Sequence, residues 1–265
     1  MLKPTPADTR AKLAQELKTI SNQERELVVT QHTFARKNEQ LGCTKCPKCW
    51  LFIQNCICSK ATLVPSFQHK LVVIVHPKEY TLSSNTGALP QLCLPPQNVA
   101  VLVSGVLEHA DQIAALWSLP NTFVLFPGKD AITFAELESS VNLVSSVNLE
   151  SSVNAQCQLP SGRTYNIIIV DGTWNQAKNL ERTIPSHIPR VCLGSLESVP
   201  EALQRPMRAH SDSSKVCTLA AIIQLLSEMR CDPSVMESLS ELLTLKAAVI
   251  CQGNLQAAPK RKREE

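Results

Sequence analysis

A chain of 265 residues and 29.1 kDa is long enough for one sizeable core, or for one core with a small appendage. Its 44% hydrophobic and 18% charged residues are ordinary for a globular protein, and no apolar run approaches the roughly 18–20 residues needed to cross a bilayer. The net charge of +3 divides unevenly: residues 1–60 hold ten Lys/Arg against five Asp/Glu, residues 61–258 twelve against sixteen, and the tail from Pro259 four against two. Basic ends around a mildly acidic body suit an anionic partner such as nucleic acid, and the lack of a long apolar run excludes a membrane-spanning helix. The opening MLKPTPADTR carries no apolar signal core, and the eight glycines form neither GxGxxG nor GxxxxGK[ST].

Residues 7–37 are polar with spaced apolar positions (Leu13, Leu17, Ile20, Leu27, Val28), which predicts one or two exposed, weakly amphipathic helices. Five cysteines crowd into residues 43–58. From there apolar, β-branched runs recur: LVVIV at 71–75, NVAVLVSG at 98–105, TFVLFPG at 122–128, YNIIIVDG at 165–172 and VCLG at 191–194. Continuous apolar runs of this length predict strands buried on both faces, as in a parallel sheet. Helices are expected between and after them, at His109–Ser118, Ile132–Ser139, Trp174–Arg182, Lys215–Met229 and Ser234–Ile250. The alternation predicts an α/β fold with a mostly parallel sheet.

Residues 139–154 read SSVNLV, SSVNLE, SSVN, a repeat expected to be a low-complexity surface insertion without a function of its own. The expected organisation is a helical extension over 1–42, a cysteine-rich module over 43–60, an α/β domain over 61–252, and a basic, disordered tail over 253–265. The tail's PKRKR is similar to a nuclear-import signal, so the expected location is intracellular, cytoplasmic or nuclear or both.

Cys46-x2-Cys49 and Cys56-x-Cys58 supply four thiolates from two tight turns separated by six residues. Tetrahedral Zn2+ takes four such ligands at about 2.3 Å, so a structural zinc is expected on Cys46, Cys49, Cys56 and Cys58. Cys43 also forms a CxxC with Cys46 and leaves an alternative ligand open. A redox CxxC would follow a strand, and none precedes this one. The six cysteines at 93, 157, 192, 217, 231 and 251 stand singly in apolar contexts and are read as small core residues.

Ligands of open parallel sheets gather beyond the carboxyl ends of the strands, where this chain carries HPKE (76–79), FPGKD (126–130) and DGTW (171–174). Asp171 follows the strongest strand and precedes a helix. Thr173 suits a helix cap, and Trp174 offers a flat surface to an aromatic base. The bland alternative makes Asp171 a cap and Trp174 a core residue.

IIIVDGTWNQAKNL closely resembles the signature of the DTW-domain family of tRNA-uridine aminocarboxypropyltransferases. CPKCWLFIQNCIC, VIVHPKE, Asn85-Thr86, LFPGKDA, PRVCL and the Arg208–Leu219 segment resemble further family blocks in the same order. Cys217 and Ala220 stand where the family shows Ser and Glu. The resemblance implies a SPOUT-like, knotted Rossmann-like sheet with a small N-terminal zinc-binding module. It also implies S-adenosylmethionine as co-substrate and transfer of its 3-amino-3-carboxypropyl group to N3 of a uridine in tRNA.

On that reading Asp171, Thr173 and Trp174 are the catalytic candidates, with Asp171 as general base. His76, Pro77, Asn85, Thr86, Phe126, Pro127, Gly128, Arg208 and Thr218 are the candidates for holding the cofactor. His76 is expected to position rather than to transfer a proton. Ribosomal RNA as the substrate, or a non-catalytic zinc-containing RNA-binding protein of the same fold, are the alternatives, and the oligomeric state is left open.

Overall fold

The computed structural model describes residues 14–15, 17–146, 162–194 and 216–256. Its strands are β1 (Lys70–Val75), β2 (Val99–Val103), β3 (Thr122–Leu125), β4 (Ile132–Thr133), β5 (Asn166–Asp171) and β6 (Arg190–Cys192). The helices are α1 (Asn22–Asn38), α2 (Leu107–Leu116), α3 (Phe134–Ser146), α4 (Trp174–Glu181), α5 (Thr218–Glu228) and α6 (Pro233–Gln256). The six strands form one sheet in the order β2-β1-β5-β3-β6-β4, and every pairing is parallel.

Alternation within each central strand feeds two packed layers. On β1 and β5, Leu71, Val73, Val75, Ile167 and Ile169 face the larger core, which also takes in Leu225 and Leu226 of α5, Leu239 and Leu242 of α6, and Trp50 and Ile57 of the cysteine-rich segment. Val72, Ile74, Ile168 and Val170 face the other way, against Leu116 of α2's end and Ala177 and Leu180 of α4. Each fully buried side chain of this size contributes roughly 1.5–3 kcal/mol by leaving water. Both faces are covered, which is why these strands read as unbroken apolar runs.

Three expectations need correction. Ile132 and Thr133 open no helix; they form an edge strand against Val191 and Cys192, and the helix begins two residues later than expected, at Phe134. The repeat starting at Ser139 is partly helical, since α3 continues to Ser146, while residues 147–161 lie outside the described set. Helix α6 runs to Gln256, into the segment expected to be tail. The N-terminal helix is also less detached than its polarity suggests: Phe34 of α1 is buried and stacks on Tyr80, with ring centroids 5.2 Å apart. Among the lone cysteines, Cys93 is buried but Cys251 is exposed, and Cys157 lies outside the described residues. No helix among the described residues is long and apolar enough to cross a membrane.

The register brings Val75, Val103 and Asp171 to one end of the sheet, since Val75 pairs with both of the others. The site is built on that carboxyl edge.

Candidate active site and metal centre

Asp171 is the last residue of β5, and its position is fixed from several directions. Its backbone carbonyl accepts from the His76 N–H at 2.8 Å, tying the turn after β1 to the end of β5. Its carboxylate accepts one hydrogen bond from the Asn85 amide and another from the Thr218 hydroxyl, one on each oxygen. Asn85 is in turn fixed by the Ala88 N–H, which donates to its Oδ1 at 3.3 Å. The Thr86 hydroxyl accepts from the Leu219 N–H at 3.2 Å, so the loop after β1 also holds the first turn of α5. A Cβ on Gly87 would lie 3.0 Å from Val73 Cγ1 and 3.1 Å from Asp171 Cγ. Glycine lets the backbone pass this close to the carboxylate.

Asp171 is only 4% exposed, and burial raises its carboxyl above the ordinary carboxylate range; the Thr218 and Asn85 hydrogen bonds work against that rise. Lys246 of α6 completes the surroundings. It is fully buried, and its ammonium donates to the carbonyl oxygens of Cys49, at 2.9 Å, and of Asn85. Burial lowers its pKa to about 8, while the nearby Cys49 and Asp171 pull the other way. No feature of the sequence singled it out, because it sits in a helix whose apolar periodicity explains its neighbours.

Above this network opens a cavity of about 270 Å³, close to the lower end of the roughly 300–1,000 Å³ common for small-molecule sites. Phe126, Pro127, Gly172, Trp174, Leu193 and Thr218 are among its walls. Trp174 leans on Phe126 with ring centroids 6.3 Å apart, forming an aromatic corner. The cavity is mainly apolar, with the Thr218 hydroxyl joining it to Asp171. Such a chamber can take a small, largely apolar ligand.

Seven of the expected site residues fall into two groups. Phe126, Pro127, Trp174 and Thr218 border the cavity, whereas Asn85, Thr86 and Asp171 lie a layer beneath it. His76 is half-buried; its Nδ1 accepts from the Lys78 N–H at 3.1 Å, and burial, helped by Lys78, lowers its pKa. The shift favours the neutral ring, which is engaged in a turn with Pro77 buried beside it. Thr173 is the N-cap of α4, and Gln176 Oε1 accepts from its N–H at 2.8 Å. Gly128 is exposed, and a Cβ there would meet nothing within 4 Å. Ala220 is fully buried in the core. Arg208 lies outside the described residues.

The four sulfurs of Cys46, Cys49, Cys56 and Cys58 lie within 4.8 Å of one another. Cys46 and Cys58 approach to 3.5 Å, and Cys49 and Cys56 to 3.8 Å. A tetrahedral zinc with 2.3 Å bonds sets sulfurs about 3.8 Å apart, so the donor set fits. Trp50, at φ +60°, makes the reversal that brings the Cys46 N–H onto the Leu51 carbonyl at 2.8 Å. Burial would raise the Cys46 thiol, but hydrogen bonds from the backbone N–H groups of Cys49 and Lys48 and from the Cys58 and Cys56 side chains together bring its pKa down to about 7. Cys43 is exposed and not a member of the cluster.

The pattern of the DTW domain matches residues 43–250. A Drosophila melanogaster protein named tRNA-uridine aminocarboxypropyltransferase 2 is 25% identical over 147 residues, covering 54% of this chain and 50% of its own length. A Mus musculus protein of the same name is 28% identical over 141 residues, covering 51% of this chain and 40% of its own. The chain thus matches about half or less of the length of these relatives. No solved structure matches it.

Proposed function

The chain belongs to the DTW domain family, and from that premise we propose that it transfers the 3-amino-3-carboxypropyl group of S-adenosylmethionine to N3 of a uridine in tRNA. The observation that carries this reading is the placement, within the matched region, of the Asn85–Asp171–Thr218 network directly under an aromatic-cornered cavity. The names of the two relatives support the substrate and the group transferred.

The residues account for the chemistry as follows. The sulfonium donor makes its own leaving group: the bond from N3 to the methylene carbon forms as the carbon–sulfur bond breaks, and neutral methylthioadenosine departs. N3 must lose its proton, and Asp171 is the base. Because Thr218 stands between Asp171 and the cavity, its hydroxyl takes the uracil proton as it passes its own to the carboxylate. Burial raises the proton affinity of Asp171 and suits it to this task; base assistance of this kind is worth about 10²–10⁴-fold. Trp174 and Phe126 give a surface on which a flat base stacks, and Phe126-Pro127-Gly128 with His76-Pro77 bound the donor's place. Choosing aminocarboxypropyl over methyl is then a matter of which sulfonium carbon faces N3 in line.

Cys46, Cys49, Cys56 and Cys58 would hold Zn2+ in a structural role, since four sulfur donors would leave no position for substrate. The half-exposed Phe52 and Ile53 and the exposed lysines at 48 and 60 give this module a face for tRNA, through base contact and phosphate pairing. Thiolate ligation suits a reducing, intracellular setting. The knotted, SPOUT-like form of the sheet belongs to the same proposal; the all-parallel order supports it, and the β6-to-α5 connection, residues 195–215, lies outside the described residues.

The decisive experiment incubates zinc-loaded protein with S-adenosylmethionine and unmodified tRNA and analyses the nucleosides by mass spectrometry. The expected product is uridine heavier by one aminocarboxypropyl group. A methyl gain, or no gain with any tRNA, overturns the assignment.

A further inference from the structure

Lys246 joins two places that otherwise have separate roles. Its fully buried ammonium donates both to the carbonyl of Cys49, a residue of the sulfur cluster, and to the carbonyl of Asn85, whose side chain holds Asp171. The three residues are far apart in sequence, and α6 brings the lysine in between them. A buried ammonium needs partners for its three donors and a compensating charge nearby. The carbonyls satisfy two donors, and Cys49 and Asp171 are near enough for their negative charge to favour the ammonium against the cost of burial.

Other links between the module and the loop run nearer the surface. Lys45 donates to the Thr81 carbonyl at 2.6 Å, the Ser83 hydroxyl donates to the Trp50 carbonyl at 3.3 Å, and Gln91 donates to the Lys48 carbonyl at 2.7 Å. None of them touches Asn85. Lys246 does, and it shares that hold with the cysteine turn.

We propose that Lys246 is a positioning residue that couples metal occupancy of the cysteine cluster to the seating of Asn85 and Asp171, and so to ligand binding in the cavity. Loss of metal opens the Cys46–Cys49 turn and shifts the Cys49 carbonyl. The ammonium loses one of its partners, and its hold on the Asn85 loop slackens. The coupling is reciprocal: a ligand that orders the Asp171 network retards metal release. The ligand arm of this inference rests on S-adenosylmethionine as co-substrate; the metal arm does not.

The test begins with the wild-type chain. Amide hydrogen exchange is compared with zinc bound and after chelation, following Cys46 and Trp50 in the knuckle and Ala88 and Leu89 in the loop. Chelation is expected to speed exchange at both places. Loosening confined to the knuckle overturns the proposal without recourse to any variant or to the cofactor.

In zinc-loaded Lys246→Met, Ala88 and Leu89 are expected to exchange faster while Cys46 and Trp50 remain protected. Calorimetry supplies the readout that a merely structural residue would not move. Stripping zinc is expected to weaken S-adenosylmethionine binding to the wild type on the order of tenfold, within the usual range of coupling between sites. The same treatment should leave the affinity of Lys246→Met nearly unchanged. An equal loss in both proteins overturns the coupling. If the zinc-loaded wild type binds no S-adenosylmethionine, the cofactor reading fails, and the exchange comparison still decides the role of Lys246.

Discussion

The cysteine module and the carboxylate site are assembled in opposite ways. All four sulfurs come from one short stretch, Cys46 to Cys58, folded by two tight turns. The carboxylate network gathers Asn85, Asp171, Thr218 and Lys246 from the loop after β1, the end of β5, the start of α5 and the middle of α6. The first is a local device and the second exists only when the whole sheet is in register. A change in the module should therefore act first on stability and metal content, and a change in the network on turnover.

The largest expected effect separates the two at once. Asp171→Asn should lower turnover by about 10²–10⁴-fold while the zinc content stays at the wild-type level, as read by nucleoside mass spectrometry and metal analysis on one preparation. Retained activity removes Asp171 from the role of base. Its raised pKa also sets a pH dependence. The base must be unprotonated, so wild-type turnover should fall on acidification at a pH above the usual carboxylate value of about 3.9. The stability linkage has the opposite sense: a carboxyl raised on folding stabilises at low pH, and that contribution fades as pH rises through its folded pKa. A single acidic limb in kcat that disappears in a Thr218→Val variant would indicate that the hydroxyl carries the proton.

On the module side, Cys56→Ser should leave three thiolates and weaken zinc binding, with a loss of several kcal/mol and a fall in Tm on the order of 10 °C. Thermal unfolding with and without added zinc measures it; an unchanged Tm would break the comparison by showing that the cluster carries no structural weight. The smallest effect sharpens the boundary between the two regions. Gly87→Ala introduces a Cβ at 3.0–3.1 Å from Val73 and Asp171, so stability should drop by about 1–3 kcal/mol. The displacement falls on the carboxylate, so turnover should drop with it while zinc is retained.

The contrast also explains how much could be read in the sequence. Cysteine spacing is a short-range signal and needed no fold to be interpreted. The five longer strands were legible because burial on both faces leaves unbroken apolar runs. Two-residue β4 carries too little pattern to distinguish from the start of α3, and it forms only because β6 offers it an edge. Asp171 was marked by its place at a strand end. Asn85 and Thr86 were reached only through resemblance, because a polar pair in a loop has no periodicity, and the hydrogen bonds that give them purpose span 86 and 133 residues. Lys246 left no trace, since one lysine in a long helix reads as a solvated position.

The position of Lys246 near the far end of the chain bears on where this protein can be shortened. A fragment stopped at the turn between α5 and α6, around Cys231 and Asp232, would keep all the cysteine ligands and the DGTW segment, although the family match runs on to residue 250. It would also lose Leu239, Leu242 and Leu243 from the larger core, and leave the carbonyls of Cys49 and Asn85 without the ammonium that joins them. The smallest working unit thus extends past the short motifs of the site to the end of the family match, into a helix whose sequence advertises only packing.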